Sequence, residues 1–486
     1  MLGPMRVRAG LLIGAIGIFG CASPTIGDAG DEIESSSGES SSSEDTSEGS
    51  TTSELDGSSE SSSESTSEST SETGGDDEGE LVDPGSSAAC TTNPGSHASV
   101  CPQGQPCPIV TDVEIDCADT LRWPISVSAD GERAYLAAMS DMGGWLFTAQ
   151  ADAADLVALP DVLDGGKLEL GVDQAGRLRL LASTLEQAYL YVIPLVGGFA
   201  LQAMTETPGD PYTLPYALEF DPDNHAHALT LQDGHFLHGQ RAADATWTLE
   251  TIDDPDSFEA NGFDRHGHVI ELLDTTDPPF LQLGARVEGV TRVLSDMYSS
   301  SANPLMALQP ARPSLADAGD IDYGVIYMHD QELRVVWPSG AEGWTDVAIP
   351  EATPNTNPCP LDPNCPCPAT CLDDQGGFGL AVAARTSESE IWVAWTFDND
   401  HVTWSLYEAP LCLCGLAPSF PIDESTSTLH LTRIDTNDGS LEQVLTLEIA
   451  KPAELDMQTW DRQLAVGLRM AGSPNLRVLA FDLDQL

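Results

Sequence analysis

The sequence predicts an all-β chain: a β-propeller of about seven four-stranded blades, within a range of six to eight, behind a disordered N-terminal linker. Three observations predict it. From residue 118 onward, apolar stretches of four to eight residues alternate with Gly, Asp and Asn turns, and no amphipathic stretch is long enough for a helix. Turn residues Gly131, Gly176, Asn224 and Gly267 recur at spacings of 45, 48 and 43, the length of one four-stranded blade. Residues 22–83 hold 19 acidic residues and no basic one, a composition that cannot bury enough apolar surface to offset chain ordering.

In chain order, residues 1–20 read as a secretory signal peptide. Arg6 and Arg8 precede a nine-residue apolar run, residues 11–19, which is too short to span a bilayer. The run ends in Ile18-Phe19-Gly20-Cys21, which resembles a bacterial lipobox, the site where Cys is acylated before cleavage in front of it. The resemblance implies a lipid anchor on Cys21 and an exported lipoprotein, facing the periplasm or the cell surface. Ala22 in place of Asp implies the outer membrane, by similarity to enteric sorting. No later segment reaches the ~18 apolar residues of a transmembrane helix.

Residues 21–88 form the Ser/Glu-rich linker, a solvated spacer holding the folded part away from the membrane. The folded part is itself acidic: 17 basic against 59 acidic residues in 84–486 give −42 of the chain's formal −59. Nucleic acid is thereby excluded as a partner, because binding its phosphates depends on Lys and Arg displacing counterions.

Ten further cysteines fall in two even groups: Cys90, Cys101, Cys107 and Cys117 in an N-terminal segment 89–119, then Cys359, Cys365, Cys367, Cys371, Cys412 and Cys414. Even counts in an exported chain predict disulfides closed within each group. Metal binding by Cys365-Pro-Cys367 and Cys412-Leu-Cys414 is the competing reading. The Pro-rich stretch 354–376 is expected as an irregular insertion stapled to the strand end at Cys412 and Cys414.

Residues 120–486 form the propeller domain. Ser128-Ala129-Asp130-Gly131, Asp173-Gln174-Ala175-Gly176, Asp221-Pro222-Asp223-Asn224 and Asp264-Arg265-His266-Gly267 each lead into an apolar strand. Trp247, Trp344 and Trp404 are each expected to open an outer strand. A closing strand is expected near residues 111–116, paired with the C-terminal tail, since closure removes exposed edges.

With its turn, strand, short turn and Trp-led strand, this unit resembles secreted β-propellers of the sialidase-like and lectin type. The resemblance covers most of 120–486 and specifies a fold better than a function. It implies a module recognising a protein or a glycan through a propeller face, with a sialidase-like glycan hydrolase as the alternative. For the latter, Arg122 in Leu121-Arg122-Trp123-Pro124 sits where sialidases carry an arginine, but no motif locates the Tyr–Glu nucleophile pair.

His225-Ala226-His227 and His266-Gly267-His268 place two imidazoles on one side of a strand, as Zn²⁺ ligation requires; hydrogen bonds to turn carbonyls are the other role that fits. Asp398-Asn399-Asp400 and Asp435-Thr436-Asn437-Asp438-Gly439 resemble calcium loops, yet the Gly stands one place early, and hairpin turns are expected there. No cofactor is expected on this reading; Ca²⁺ or Zn²⁺ at these positions is the exception it leaves open.

Overall fold

Seven antiparallel sheets are arranged so that the innermost strand of each touches the innermost strand of the next, and the seventh touches the first. In this computed structural model residues 79–486 are described, apart from connecting loops of which the longest are 96–106, 308–323 and 351–369. Of residues 214, 257–261, 271–276, 279–287, 290–297, 303–307, 329, 338–339, 343–344, 370–377, 399–409, 413–418 and 425–426 only the backbone is described. Cys21, Cys101, Arg122, Cys359, Cys365, Cys367 and Cys412 lie outside the described residues, and of Cys371 and Cys414 only the backbone is described.

Blade I comprises β4 (Ser126–Ala129), β5 (Ala134–Ser140), β6 (Gly143–Gln150) and β7 (Ala153–Ala158). Blade II comprises β8 (Leu168–Val172), β9 (Leu178–Ala182), β10 (Leu190–Leu195) and β11 (Gly198–Ala203), with β1 (Glu80–Val82) added at its outer edge. Blade III runs through β12 (Leu214–Phe220), β13 (Ala226–Gln232), β14 (His235–Arg241) and β15 (Trp247–Ile252). Blade IV follows with β16 (Ser257–Phe263), β17 (Val269–Thr276), β18 (Pro279–Val287) and β19 (Val290–Met297).

Blade V is β20 (Asn303–Ala307), β21 (Val325–His329), β22 (Glu332–Ser339) and β23 (Gly343–Ile349). Blade VI is β24 (Thr370–Ser387), β25 (Glu390–Ala409), β27 (Ser425–Asp435) and β28 (Leu441–Ala450), with β26 (Leu413–Pro418) paired to the far end of β25. Blade VII joins both ends of the propeller: β29 (Pro452–Trp460), β30 (Gln463–Met470) and β31 (Leu476–Asp482), then β3 (Ile109–Cys117) and β2 (Cys90–Pro94).

Burial explains why alternation fades in the middle of each blade. A second strand such as Ala-Tyr-Leu-Ala-Ala-Met-Ser in β5 is buried at all seven positions, because both faces of the sheet are covered by neighbouring blades. The outer strand β7 alternates between exposed and partly buried residues. The core is accordingly not one mass but a series of clusters between consecutive blades. Trp145, Phe147, Val113 and Val478 pack blade VII on blade I, while Tyr135, Leu170, Leu180 and Phe199 pack blade I on blade II. Trp392, Met457 and Leu479 join blades VI and VII.

Closure comes from β3, which pairs antiparallel with β31 from Ile109↔Phe481 to Ile115↔Leu476, in the place expected for residues 111–116. Asp112 and Arg477 reinforce it. The guanidinium donates Nε–Oδ1 and Nη2–Oδ2 bonds of 2.8 Å each, and both residues are buried. Next to it β2 pairs with β3, and Cys90 and Cys117, opposite each other in register, form a disulfide. Cys107 is also disulfide-bonded. Residues 89–119 thus contribute two strands to the ring.

Two sequence expectations are corrected here. Trp247 and Gly343-Trp344 do begin outer strands, but Trp404 lies inside the 20-residue β25. Asp398-Asn399-Asp400 likewise runs through β25, paired with Gly377, Gly376 and Gln375, so it is no hairpin turn. The long β24–β25 ladder carries the chain past the point where a shorter blade would have turned. Asp435 to Gly439 is a turn, with Gly439 at φ +71° and its amide donating to the Asp435 carbonyl.

Because Asp112 and Arg477 are buried, removing one strands the other. Asp112→Ala is expected to cost about 3–5 kcal/mol in urea unfolding, and Asp112→Leu with Arg477→Met to regain most of it. Equal loss in the single and double variants would contradict the assignment of that cost to an uncompensated charge.

Candidate functional site: the turn face and the channel-lining strands

The first-to-second strand turns of blades I–IV share one construction. Each begins with an Asp whose carboxylate collects the amides of the turn and the first donors of the next strand. Asp173 Oδ1 accepts from the Ala175 and Arg177 amides, and Oδ2 pairs with Arg177 Nε at 2.8 Å and Arg179 Nη2 at 3.0 Å. Asp130 accepts from the Glu132 and Arg133 amides, from Arg133 Nε and from the Tyr135 hydroxyl. The chain then reverses through Gly131, Gly176, Asn224 and Gly267 at φ +92°, +77°, +66° and +77°. This left-handed position is why the repeat tolerates only Gly or Asn there.

Histidines take the place of the arginines on blades III and IV. His225 Nδ1 lies 3.1 Å and His227 Nε2 3.4 Å from Asp221 Oδ2, and His268 Nδ1 lies 2.8 Å from Asp264 Oδ2. His227 is buried, with Nδ1 3.1 Å from His238 Nε2 and the two rings stacked. The partner of each of these imidazoles is therefore the turn carboxylate rather than a turn carbonyl. His266 contributes its amide to Asp264 Oδ1, and its ring stands 5.7 Å from that of His268. Among the described residues no three His, Cys, Asp or Glu side chains stand together in an arrangement that could hold a metal ion.

Burial disfavours the ionised Asp221, but the bonds from His227 and His225 outweigh it and hold the carboxyl below its ordinary range. Asp130 is lowered in the same way: burial opposes, and the Tyr135 hydroxyl and two amides prevail.

The turns touch one another around this face. Gly131 N donates to Gln463 Oε1 of blade VII, and Gln174 N donates to Asn224 Oδ1 of blade III. Gly267 lies so close to the His227 ring that an added Cβ would fall 2.2 Å from it. Trp460, at the end of β29, lies against Gly131 and extends toward Gly176, so one half-buried indole spans the turns of blades I and II.

Behind this face lies the channel wall. An innermost strand has no partner on its channel side, so its amides need acceptors from elsewhere. Side chains of the neighbouring blade supply them. Glu454 and Asp456, two residues apart on β29, accept from the amides of Ile125 and Val127 at 3.1 and 2.7 Å. Ser126 Oγ accepts from the Leu170 amide and donates to Glu169 Oε2. Glu169 is paired with Lys167 at 2.5 Å, and Glu454 with Arg469. Asp456 is half-buried, and burial, with the nearby Glu169 carboxylate, pushes its carboxyl up to about 7. No sequence motif marks this group; its only signal is the Glu-x-Asp-x-Gln alternation of residues 454–458 on one strand face.

No protein-family model matches the chain, and no curated protein matches it. Solved structures similar to it include the WD40 domain of SCAP from fission yeast, with 8% identity, TM-score 0.39, and coverage of 85% of this chain and 100% of that one. The β-propeller domain of Myceliophthora thermophila Cps50 (Swd1) is similar at 10% identity and TM-score 0.31, over 64% of this chain and 95% of that one. Polysaccharide lyase Uly1 is similar at 8% identity and TM-score 0.33, over 74% and 90%.

A folded-state value of about 7 for Asp456 stands above the ordinary 3.8, so its favourable contribution is complete below about pH 4 and is lost as pH rises through about 7. Asp456→Asn removes that dependence. The melting temperature of the variant relative to the unaltered protein should rise by roughly 2–5 °C from pH 5 to pH 8 in calorimetry. A difference that stays constant with pH would contradict the burial of an ionisable Asp456.

Proposed function

We propose that the chain is an exported bacterial lipoprotein, anchored through Cys21, whose propeller is a binding or scaffolding module for a protein or a glycan. The observation that carries the binding role is the turn face. Asp-anchored turns of four consecutive blades, joined by direct contacts and spanned by Trp460, form a rigid surface with arginines on one side and histidines on the other. Preorganised turns lose little freedom on binding, and a half-buried indole suits the apolar side of a sugar or a peptide side chain. With a net charge of −42 behind it, neutral glycans and cationic protein segments approach more readily than anionic ones.

A glycan hydrolase is the second reading. It is favoured by Asp456, whose carboxyl titrates near neutrality beside the Lys167-paired Glu169, since glycoside hydrolysis uses one protonated and one ionised carboxyl group. Against it, the arginines at the turns of blades I and II, Arg133, Arg177 and Arg179, are already held by Asp130 and Asp173, and Arg462 at the turn of blade VII by Glu390 and Asp484.

A glycan array and a panel of fluorogenic glycosides, both run on the full chain, separate the readings. Saturable binding that falls at least tenfold in Arg177→Ala or His225→Ala, with no turnover, is the expected result. Turnover lost in Asp456→Asn would transfer the assignment to the hydrolase. For the anchor, mass spectrometry should find lipid on Cys21, and Cys21→Ser should leave the membrane fraction; unchanged fractionation without lipid would refute it.

A further inference from the structure

Along the edge shared by β29, β4 and β8 the channel is one cation short. Glu169 holds Lys167 and Glu454 holds Arg469. Asp456 receives only the amides of Val127 and Met457, and among the described residues no cation forms an ion pair with it. Two residues further, on the same strand face, Gln458 is 6% exposed and its Oε1 has no hydrogen-bond partner. A buried acceptor without a donor, beside a carboxylate without a counterion, is an arrangement that a positively charged donor would complete.

The neighbouring wall shows what such a donor looks like. Lys167 Nζ binds Glu169 Oε1 at 2.5 Å and the Pro215 carbonyl at 2.7 Å, and it lies 5.2 Å from the centre of the Tyr216 ring. That is an ammonium held by oxygens and an aromatic face. Both Asp456 oxygens already accept one amide each, which leaves room for single donors rather than for the two-pronged approach of a guanidinium.

We propose that Asp456 and Gln458 form the acceptor site for a primary ammonium group of a cationic peptide that enters the channel. This rests on the binding-module reading and names one class of partner for it. The proton balance is explicit. At acid pH the Asp456 carboxyl is protonated, so binding releases that proton to solvent and leaves a carboxylate facing the ammonium. The groups facing Asp456 are Glu169 and Lys167 of blade II and its own strand neighbour Glu454, with Arg469 of β30 behind Glu454.

The probes are Nα-acetyl-pentalysine amide, pentaglycine amide with a free amino terminus, and Nα-acetyl-pentaarginine amide, titrated calorimetrically into the full chain. A side-chain ammonium is expected to bind through the lysine peptide, and a terminal one through pentaglycine. Binding of the productive probe should tighten at least tenfold from pH 5 to pH 8 and release close to one proton at pH 6. Asp456→Asn should weaken it at least tenfold and flatten the pH dependence, and Gln458→Leu should weaken it about threefold while keeping the proton release. Three results overturn the site: no probe binds, the arginine peptide binds as tightly as the lysine peptide, or Asp456→Asn binds undiminished. If glycan or protein binding at the turn face persists in Asp456→Asn, only the ammonium site fails. If binding is absent at both places, the module reading fails with it.

Discussion

Everything in this propeller depends on closure of blade VII. A four-stranded sheet with two apolar faces has no stable life alone, and among the described residues apolar clusters pack blade VI on VII, VII on I and I on II. A row of such sheets needs its first and last members to cover each other. Pairing β3 with β31 accomplishes this, and the buried Asp112–Arg477 pair holds the register where the two ends of the propeller meet. The Cys90–Cys117 bridge adds a covalent tie one strand further out. A buried ion pair adds little net stability over an apolar replacement. Its value here is registry, because any slip of β3 would leave both charges unpaired.

Closure also creates the chemistry of the channel. Blade I follows blade VII only in a closed ring, and it is there that β29 lies beside β4. The unpaired amides of Ile125 and Val127 then meet Glu454 and Asp456, residues 329 positions later in the chain. The same meeting concentrates carboxylates in a confined, poorly solvated space, which raises the proton affinity of the one that lacks a cation. Structural need and chemical potential share one set of residues: carboxylates recruited to cap strand edges become, where no Lys or Arg accompanies them, a place for a proton or a ligand cation.

The repeated turns were legible in the sequence because local geometry dictates them. A left-handed residue at the end of each turn calls for Gly or Asn, and an Asp three residues earlier supplies the acceptors the turn amides need. On blade I the same Asp precedes Gly131 directly, and the motif still forms. The closing strand was legible for a related reason, since the tail carried strands with no partner before it. The His pairs could be located but their role could not, because the choice between metal and turn hinges on where the Asp carboxylate points. Asp398 to Asp400 and Trp404 misled because turn-like residues and a Trp fall inside one ladder of unusual length. Asp456 and Gln458 were invisible, since nothing near them in the sequence shows which strand edge they will face.

The central claim is that closure makes the ring one cooperative unit on which the channel edge depends. Native-state hydrogen exchange on the full chain tests it most directly. The amides of Val113 in the closing strand, Val127 on the channel edge and Val335 in the distant blade V should exchange with the same opening free energy and the same denaturant slope, as parts of a single unit. Exchange of Val113 and Val127 at a markedly lower free energy, while Val335 stays protected, would show that blade VII opens alone and would contradict the account.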